Sequence, residues 1–148
     1  MPRIKPPAAL LASPDDIEQQ FYEALQRGDI DKLMAVWSDD DEIACVHPGG
    51  PRLIGAAAIR ASFEAMFANG AINAFPEKVR RVISHSSAVH NVLERVQVMG
   101  QQGPQSVWAI ATNVYLKGAQ GWRLVAHHAS PGTAREVQEI SEAASTLH

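Results

Sequence analysis

Apolar residues recur with a helical period near the start of the chain. Ser13 and Pro14 are typical of a helix start, with a capping hydroxyl before a proline at the first helical position, and Asp16 places a carboxylate near the positive end of the helix dipole. The apolar stripe that follows contains Ile17, Phe21, Ala24 and Leu25. Gly28 is the expected C-terminal cap. The pattern predicts a helix between Ser13 and Gly28.

Two further helices are predicted on the same grounds. Asp29 can cap a short second helix, whose buried side would carry Ile30, Leu33, Met34 and Trp37. Gly55 leads into a third helix, which Asn69-Gly70 ends. Its apolar face would carry Ile59, Phe63, Met66 and Phe67.

A short apolar strand is predicted between the second and third helices. The chain reads WSDDDEIACVHPGGP from residue 37, so an acidic run leads into the apolar stretch Ile43–Val46. His47 follows immediately, and Pro48 with two glycines then turns the chain. The imidazole therefore lies where regular structure gives way to a loop, a common place for residues that contact ligands.

Alternation dominates from Val79 to Ser130 and predicts four strands. Their approximate bounds are Val79–His85, Val89–Met99, Ser106–Lys117 and Trp122–Ser130. In the third strand, the side expected to face the core carries Trp108, Ile110, Thr112, Val114 and Leu116. In the fourth, the inward side would carry Trp122, Leu124, Ala126, His128 and Ser130, leaving His127 outside.

The predicted organisation is a Pro-rich tail over residues 1–12, one domain over 13–131 and a C-terminal helix over 132–148. Thr133 with Glu136 three residues later is a plausible capping box for that helix, which would carry Val137, Ile140, Ala144 and Leu147. A length of 148 residues suits one domain with a real core.

Composition narrows the class of protein. With 46% apolar residues, 20% charged residues and a net charge of -3, the chain resembles soluble globular proteins, and we expect neither nucleic-acid nor membrane binding. The apolar run near the N-terminus is too short for a signal peptide. Cys45 is the only cysteine, which excludes an intramolecular disulfide and fits a reducing cytoplasm. Its place in an apolar strand predicts a buried, inert thiol.

Three segments carry a resemblance to a known superfamily. They read FYEALQRGDIDKLMAVWSDDDEI, VHPGGPRLIGAAAIRASFEAMF and GWRLVAHHASP, and together they span roughly residues 14–131. With these three segments in this order, the chain resembles the nuclear transport factor 2-like superfamily, which includes ketosteroid isomerase and SnoaL-like polyketide cyclases. The resemblance implies an α+β fold, in which a curved, mostly antiparallel sheet wraps around a long helix to form a cone with an internal pocket. It also implies a homodimer through the outer sheet face, where we expect Ala109, Ala111, Tyr115 and Val125.

The resemblance assigns site residues by position. Ketosteroid isomerase has its carboxylate base where this chain has His47, and an imidazole is also a competent proton acceptor. The isomerase's two oxyanion donors correspond to Phe21 and Thr112, of which the first donates nothing and the second offers only a neutral hydroxyl. Tyr22 should point about 100° away from Phe21 and is not expected to replace the donor. Steroid isomerisation by the usual mechanism is therefore not expected.

Other polar residues on the strands are candidates for the pocket. His128 would lie on an otherwise apolar face, as a ligand contact or a structural group. Glu94 would either be a buried carboxylate paired with His47 or His128, or form an ion pair on the outer face. We predict His47, His128 and Glu94 as catalytic residues.

The expected pocket walls are aromatic apart from Thr112. Predicted pocket residues are Phe21, Trp37, Phe63, Trp108, Thr112 and Trp122, although such aromatics could equally form plain core. His47, His128 and Glu94 would suit zinc or iron by ligand type, but three inward placements would have to coincide, so we predict no metal and no cofactor. Two functions stay open. One is proton transfer on a small apolar carbonyl compound, and the other is a non-catalytic ligand-binding or dimerisation module.

Overall fold

The computed structural model of the chain describes residues 12–132 and 139–142. Its three helices are α1 (Pro14–Arg27), α2 (Ile30–Ala35) and α3 (Ala56–Phe67). All three confirm the sequence prediction. Ser13 Oγ accepts a hydrogen bond from the Asp16 amide at 3.2 Å, and the Asp16 carboxylate accepts one from the Ser13 amide at 3.0 Å. This reciprocal pair is a complete capping box at the start of α1.

The corner between α1 and α2 depends on a glycine in the left-handed region. Gly28 has φ 64° and ψ 33°, and its amide caps the carbonyl oxygens of Ala24 and Leu25. A Cβ would meet nothing closer than 3.8 Å, so conformation rather than space favours glycine.

Gly28→Ala is expected to lower the free energy of unfolding by about 1 kcal/mol, because an L residue is strained at this positive φ. Urea denaturation would measure the change. Gly118→Ala is the matched control, since Gly118 has no positive φ and open space around it. Equal losses in the two variants would contradict the conformational explanation.

Six strands form one sheet in the order β2-β1-β6-β5-β4-β3. Their bounds are β1 (Ala44–Val46), β2 (Arg52–Ile54), β3 (Asn73–Ile83), β4 (Ser87–Gly100), β5 (Gly103–Gly118) and β6 (Gly121–Pro131). Only the β1–β6 pair is parallel. The short strand before His47 and the four later strands confirm the predicted elements, whereas β2 was not predicted. The α+β class with a mostly antiparallel sheet is also confirmed.

The strand β3 begins at Asn73, six residues earlier than predicted. The reason is local irregularity, because the pairing of β3 with β4 shifts register between Glu77 and Arg80, and Lys78 has φ 48°. This bulge interrupts the alternation that the sequence prediction relied on.

The predicted inward face of β5 is wrong. Residues Ala109, Ala111, Asn113 and Tyr115 are buried, so they face the helices, whereas Ile110, Thr112, Val114 and Leu116 of the predicted set lie on the outer face. Ala109 and Ala111 are small and leave space beneath the helices. Asn113 and Tyr115 form hydrogen bonds with buried partners in that space. The alanines and Tyr115 therefore do not form the predicted outer dimer surface.

The predicted orientation of the two histidines in β6 is also wrong. His127 is buried and His128 is exposed. Tyr115 pairs with Leu124 and Val114 with Ala126, which leaves Val125 as an extra residue. Leu124 faces the core as predicted, and this one-residue bulge then reverses the alternation so that His127 and Ala129 face inward.

Two predicted segments lie mostly outside the described residues. Of the tail over 1–12 only Ala12 is described, and of the C-terminal helix only Gly132 and residues 139–142. Cys45 is buried, as predicted, with 0% exposure, and burial raises the pKa of its thiol to about 12. No helix in the described ranges is long and apolar enough to cross a membrane.

Candidate functional site

A cavity of about 510 Å³ lies on the concave side of the sheet. Most of its walls are apolar, including Leu25, Phe63, Met66, Val96 and Ala129. Three titratable side chains from different elements reach it, namely His47 after β1, Glu94 in β4 and His127 in β6. An apolar cavity with a few convergent polar groups is the usual form of a small-molecule site.

His47 is held at the cavity by α3. Its Nε2 lies 3.0 Å from Ser62 Oγ, and the Ser62 hydroxyl donates to the Ile59 carbonyl at 2.8 Å. Since that hydroxyl hydrogen is engaged, Nε2–H of His47 donates and Nδ1 is left as the basic nitrogen. The ring packs edge-on against Phe63 at 4.9 Å. Burial and then the nearby His127 lower the pKa of His47, against an opposing effect of Glu94.

Glu94 is 6% exposed, so it is the buried carboxylate of the two alternatives and not part of an ion pair on the outer face. Its partner differs from the predicted imidazoles, because Tyr22 donates to Glu94 Oε2 at 2.7 Å. Burial raises the pKa of Glu94, the Tyr22 hydrogen bond lowers it, and the charge of Glu18 raises it further. Tyr22 is thus a site residue that the sequence prediction set aside.

His127 is fully enclosed and lies beside Glu94. Its Nδ1 hydrogen-bonds Asn113 Oδ1 at 2.5 Å, and its Nε2 is 4.0 Å from Glu94 Oε2. Burial lowers the pKa of His127 to about 4, helped by His128. The imidazole is therefore neutral near pH 7.

A buried polar network continues behind the cavity. Glu18 Oε2 accepts hydrogen bonds from Tyr115 at 2.8 Å and Asn113 at 3.2 Å, and lies 2.9 Å from His90 Nδ1. Glu18 is 4% exposed, and His90 and Asn113 are each 0% exposed. A sequence signal was present, because Glu18 and Tyr22 are four residues apart on α1 and therefore share a helix face.

The other predicted site residues separate into three groups. Phe63 and Trp108 line the cavity. Phe21 lies behind it, with its ring 6.3 Å from Phe63 and 5.0 Å from His127. Outside the cavity are Trp37, Thr112, Trp122 and His128. Trp37 is core, paired by a β-bridge with Leu124. Thr112 accepts a hydrogen bond from Asn91 on the outer face, and Trp122 and His128 also lie away from the cavity.

The exposed position of His128 separates it from His47 and Glu94, so those three side chains do not converge. Over residues 12–132 and 139–142, no group of three or more His, Cys, Asp or Glu side chains is arranged to hold a metal ion.

A second, larger cleft of about 1000 Å³ runs along the three helices and includes Trp37. Charged residues of both signs line it, and one pair is Arg60 with Asp31 at 2.9 Å. The smaller cavity is the better candidate of the two, because it combines apolar walls with buried titratable groups, whereas the charged residues of the larger cleft are half-buried or exposed.

Comparison with known proteins gives a family and several structural relatives. Residues 15–134 match the SnoaL-like domain. A candidate association domain of calcium/calmodulin-dependent protein kinase type II from Thiobacillus denitrificans is 36% identical, with TM-score 0.74, covering 82% of this chain and 96% of that one. A candidate dehydratase of the nuclear transport factor 2-like family from Streptomyces avermitilis is 28% identical, with TM-score 0.73, covering 87% and 100%. No curated protein matches the chain.

Proposed function

The chain belongs to the SnoaL-like domain family, and we propose that its cavity binds a small, largely apolar carbonyl compound and transfers a proton on it. One observation carries the proposal. His47 and Glu94 line the same apolar cavity, and burial moves their pKa values in opposite directions. Burial favours the uncharged form of each group, namely an unprotonated imidazole that can act as the base and a protonated carboxyl that can act as the acid.

The roles follow from the hydrogen bonds. His47 Nδ1 is the base that removes a proton from the carbon next to the carbonyl, as that C–H bond breaks. The electron pair moves toward the carbonyl oxygen, which accepts the proton of Glu94. Tyr22 supports the carboxylate that remains, because its hydroxyl already donates to Glu94 Oε2. Neither step uses a cofactor.

The same two groups could eliminate water from a hydroxylated carbonyl compound. The base would remove the same proton, and the acid would protonate the departing hydroxyl. The description of the Streptomyces avermitilis relative as a candidate dehydratase favours this variant of the reaction.

Blocking the cavity tests ligand binding. Met66 lines the cavity, so Met66→Trp should fill part of its volume and reduce the affinity for 2-tetralone, a bicyclic apolar ketone, at least about tenfold. Isothermal titration calorimetry measures the affinity. Met99→Trp is the matched control, because Met99 is 79% exposed and lies away from the cavity. Wild-type protein that binds no small ketone, or equal affinity in both variants, would contradict the proposal.

Self-association is a second candidate function. An outer patch of apolar residues crosses three neighbouring strands at Val82, Val89, Val114 and Leu116, with Val82 75% and Leu116 47% exposed. The Thiobacillus denitrificans relative is described as a candidate association domain, which favours assembly of copies of this chain. We propose a homodimer through this outer patch.

Leu116→Glu is expected to shift the protein from dimer to monomer, because a charge would be buried in the proposed interface. Light scattering at micromolar concentration reports the mass. Ile54→Glu is the matched control, since Ile54 is 42% exposed but lies on β2, outside the outer patch. A wild-type monomer at these concentrations would remove the proposal.

A further inference from the structure

Asn113 connects the cavity to the buried network behind it. Its Nδ2 donates to Glu18 Oε2 and to the Tyr22 hydroxyl oxygen, each at 3.2 Å. Its Oδ1 faces His127 Nδ1 at 2.5 Å. All the side chains involved are nearly or fully excluded from solvent, so water cannot readily replace a lost hydrogen-bond partner in this network.

The direction of each hydrogen bond in this network is fixed by the chemistry of the partners. An ionised carboxylate only accepts hydrogen bonds, so the Asn113 atom facing Glu18 has to be the amide nitrogen. Tyr22 uses its hydroxyl hydrogen toward Glu94, so its oxygen accepts from the same nitrogen. Asn113 Oδ1 is then directed at His127 and can only accept. His127 Nδ1 must therefore carry the hydrogen.

We propose that Glu18, acting through Asn113, fixes His127 in the Nδ1-protonated tautomer and so presents an unprotonated Nε2 to the cavity. Glu18 and Asn113 are positioning residues in this arrangement, because neither lines the cavity. The low pKa of His127 agrees with it, since a neutral imidazole keeps one nitrogen free to accept a hydrogen bond.

This tautomer defines the ligand class, a step that rests on the proposed function. His127 Nε2 and Glu94 Oε2 are 4.0 Å apart, too far for a direct hydrogen bond. A hydroxyl oxygen about 2.8 Å from both atoms would bridge them, donating to His127 and accepting from protonated Glu94. We infer that the cavity selects neutral hydroxylated compounds. An ether of the same shape has no hydrogen to donate and should bind about tenfold more weakly.

Nitrogen NMR of protein labelled with ¹⁵N-histidine tests the tautomer without a substrate. In the wild type we expect a protonated-type signal at His127 Nδ1 and an unprotonated-type signal at Nε2. Glu18→Gln should convert His127 to a mixture of tautomers, because an amide no longer fixes the orientation of Asn113. Glu23→Gln on the same helix is the control, since Glu23 bonds only Gln19 among the described residues. An Nε2-protonated wild type, or no change in Glu18→Gln, would overturn the proposal.

Binding of 2-naphthol and 2-methoxynaphthalene to the wild type tests the ligand class. A preference of about tenfold for 2-naphthol, reduced in Glu18→Gln, would support the inference. Equal binding of the two compounds would overturn the selection of hydroxylated ligands and leave the proposed function standing. If neither compound binds while 2-tetralone does, the selection of hydroxylated ligands fails and the proposed function stands; if 2-tetralone does not bind either, the proposed function fails.

Discussion

The replacement His47→Ala is expected to slow exchange of the α-protons of 2-tetralone in D₂O by about 10² to 10⁴-fold relative to the wild-type protein. The reason is the loss of the general base, a role that contributes an effect of this size in enzymes. Glu94 is protonated in the proposed reaction and cannot accept the substrate proton. Nδ1 of His47 therefore has to accept it. Proton NMR follows the exchange directly, because the α-proton signal disappears as deuterium replaces hydrogen.

Two further variants separate a basic role from a structural one. His85→Ala removes an exposed histidine in the turn between β3 and β4 and should leave the exchange rate unchanged. Ser62→Ala keeps the imidazole but removes the hydrogen bond that orients it, so the rate should fall by a smaller factor, about tenfold. Equal exchange rates in the wild type and His47→Ala would show that His47 is not the base.

The helices could be predicted from sequence because their signals are local. Ser13 and Asp16 specify the start of α1 through a capping box three residues wide, and Gly28 specifies its end through a single backbone angle. His47 was located for a related reason, since the change from an apolar strand to Pro-Gly-Gly is visible within seven residues. None of these features depends on how distant parts of the chain meet.

The strand faces could not be predicted in the same way. One extra residue at Val125 exchanges the positions of His127 and His128, and a bulge is defined by pairing with β5 rather than by the sequence of β6. The inward face of β5 was misassigned because large apolar residues usually mark the core. Here the small Ala109 and Ala111 face inward instead, together with the polar Asn113 and Tyr115.

Tyr22 shows why the chemistry of the site was also incomplete. Its angle from Phe21 suggested that it would miss the cavity, yet both rings are buried, at 1% and 0% exposure. The helix α1 is buried on more than one side, so adjacent residues can reach different parts of the interior. Phe21 supports the apolar wall near His127, and Tyr22 reaches Glu94. Helical spacing gives relative direction but not the depth at which the helix is buried.

Acidification is expected to destabilise the protein through His127. The pKa of this imidazole is about 4 in the folded protein and about 6.5 when unfolded, so its contribution to stability is fully present above pH 6.5. As the pH falls from 6.5 toward 4, the unfolded chain binds a proton that the folded chain does not. The free energy of unfolding should fall by about 3 kcal/mol over this range.

Glu94 acts in the opposite direction. Its pKa is raised by burial, so the folded state favours the protonated acid, and falling pH removes the cost of burying its charge. The dependence measured on the wild type is the sum of such effects. A variant that changes only His127 is therefore needed to isolate its contribution.

The replacement His127→Gln should flatten the loss of stability between about pH 6.5 and pH 4, because its amide can still donate to Asn113 but does not titrate. Urea denaturation at several pH values gives the free energy of unfolding for each protein. His85→Gln is the matched control, since it removes an exposed imidazole in the turn between β3 and β4, and it should keep the wild-type slope. If His127→Gln and the wild type lose stability in parallel, His127 does not stay neutral in the folded protein, and its Nε2 would then not be the acceptor that the cavity requires.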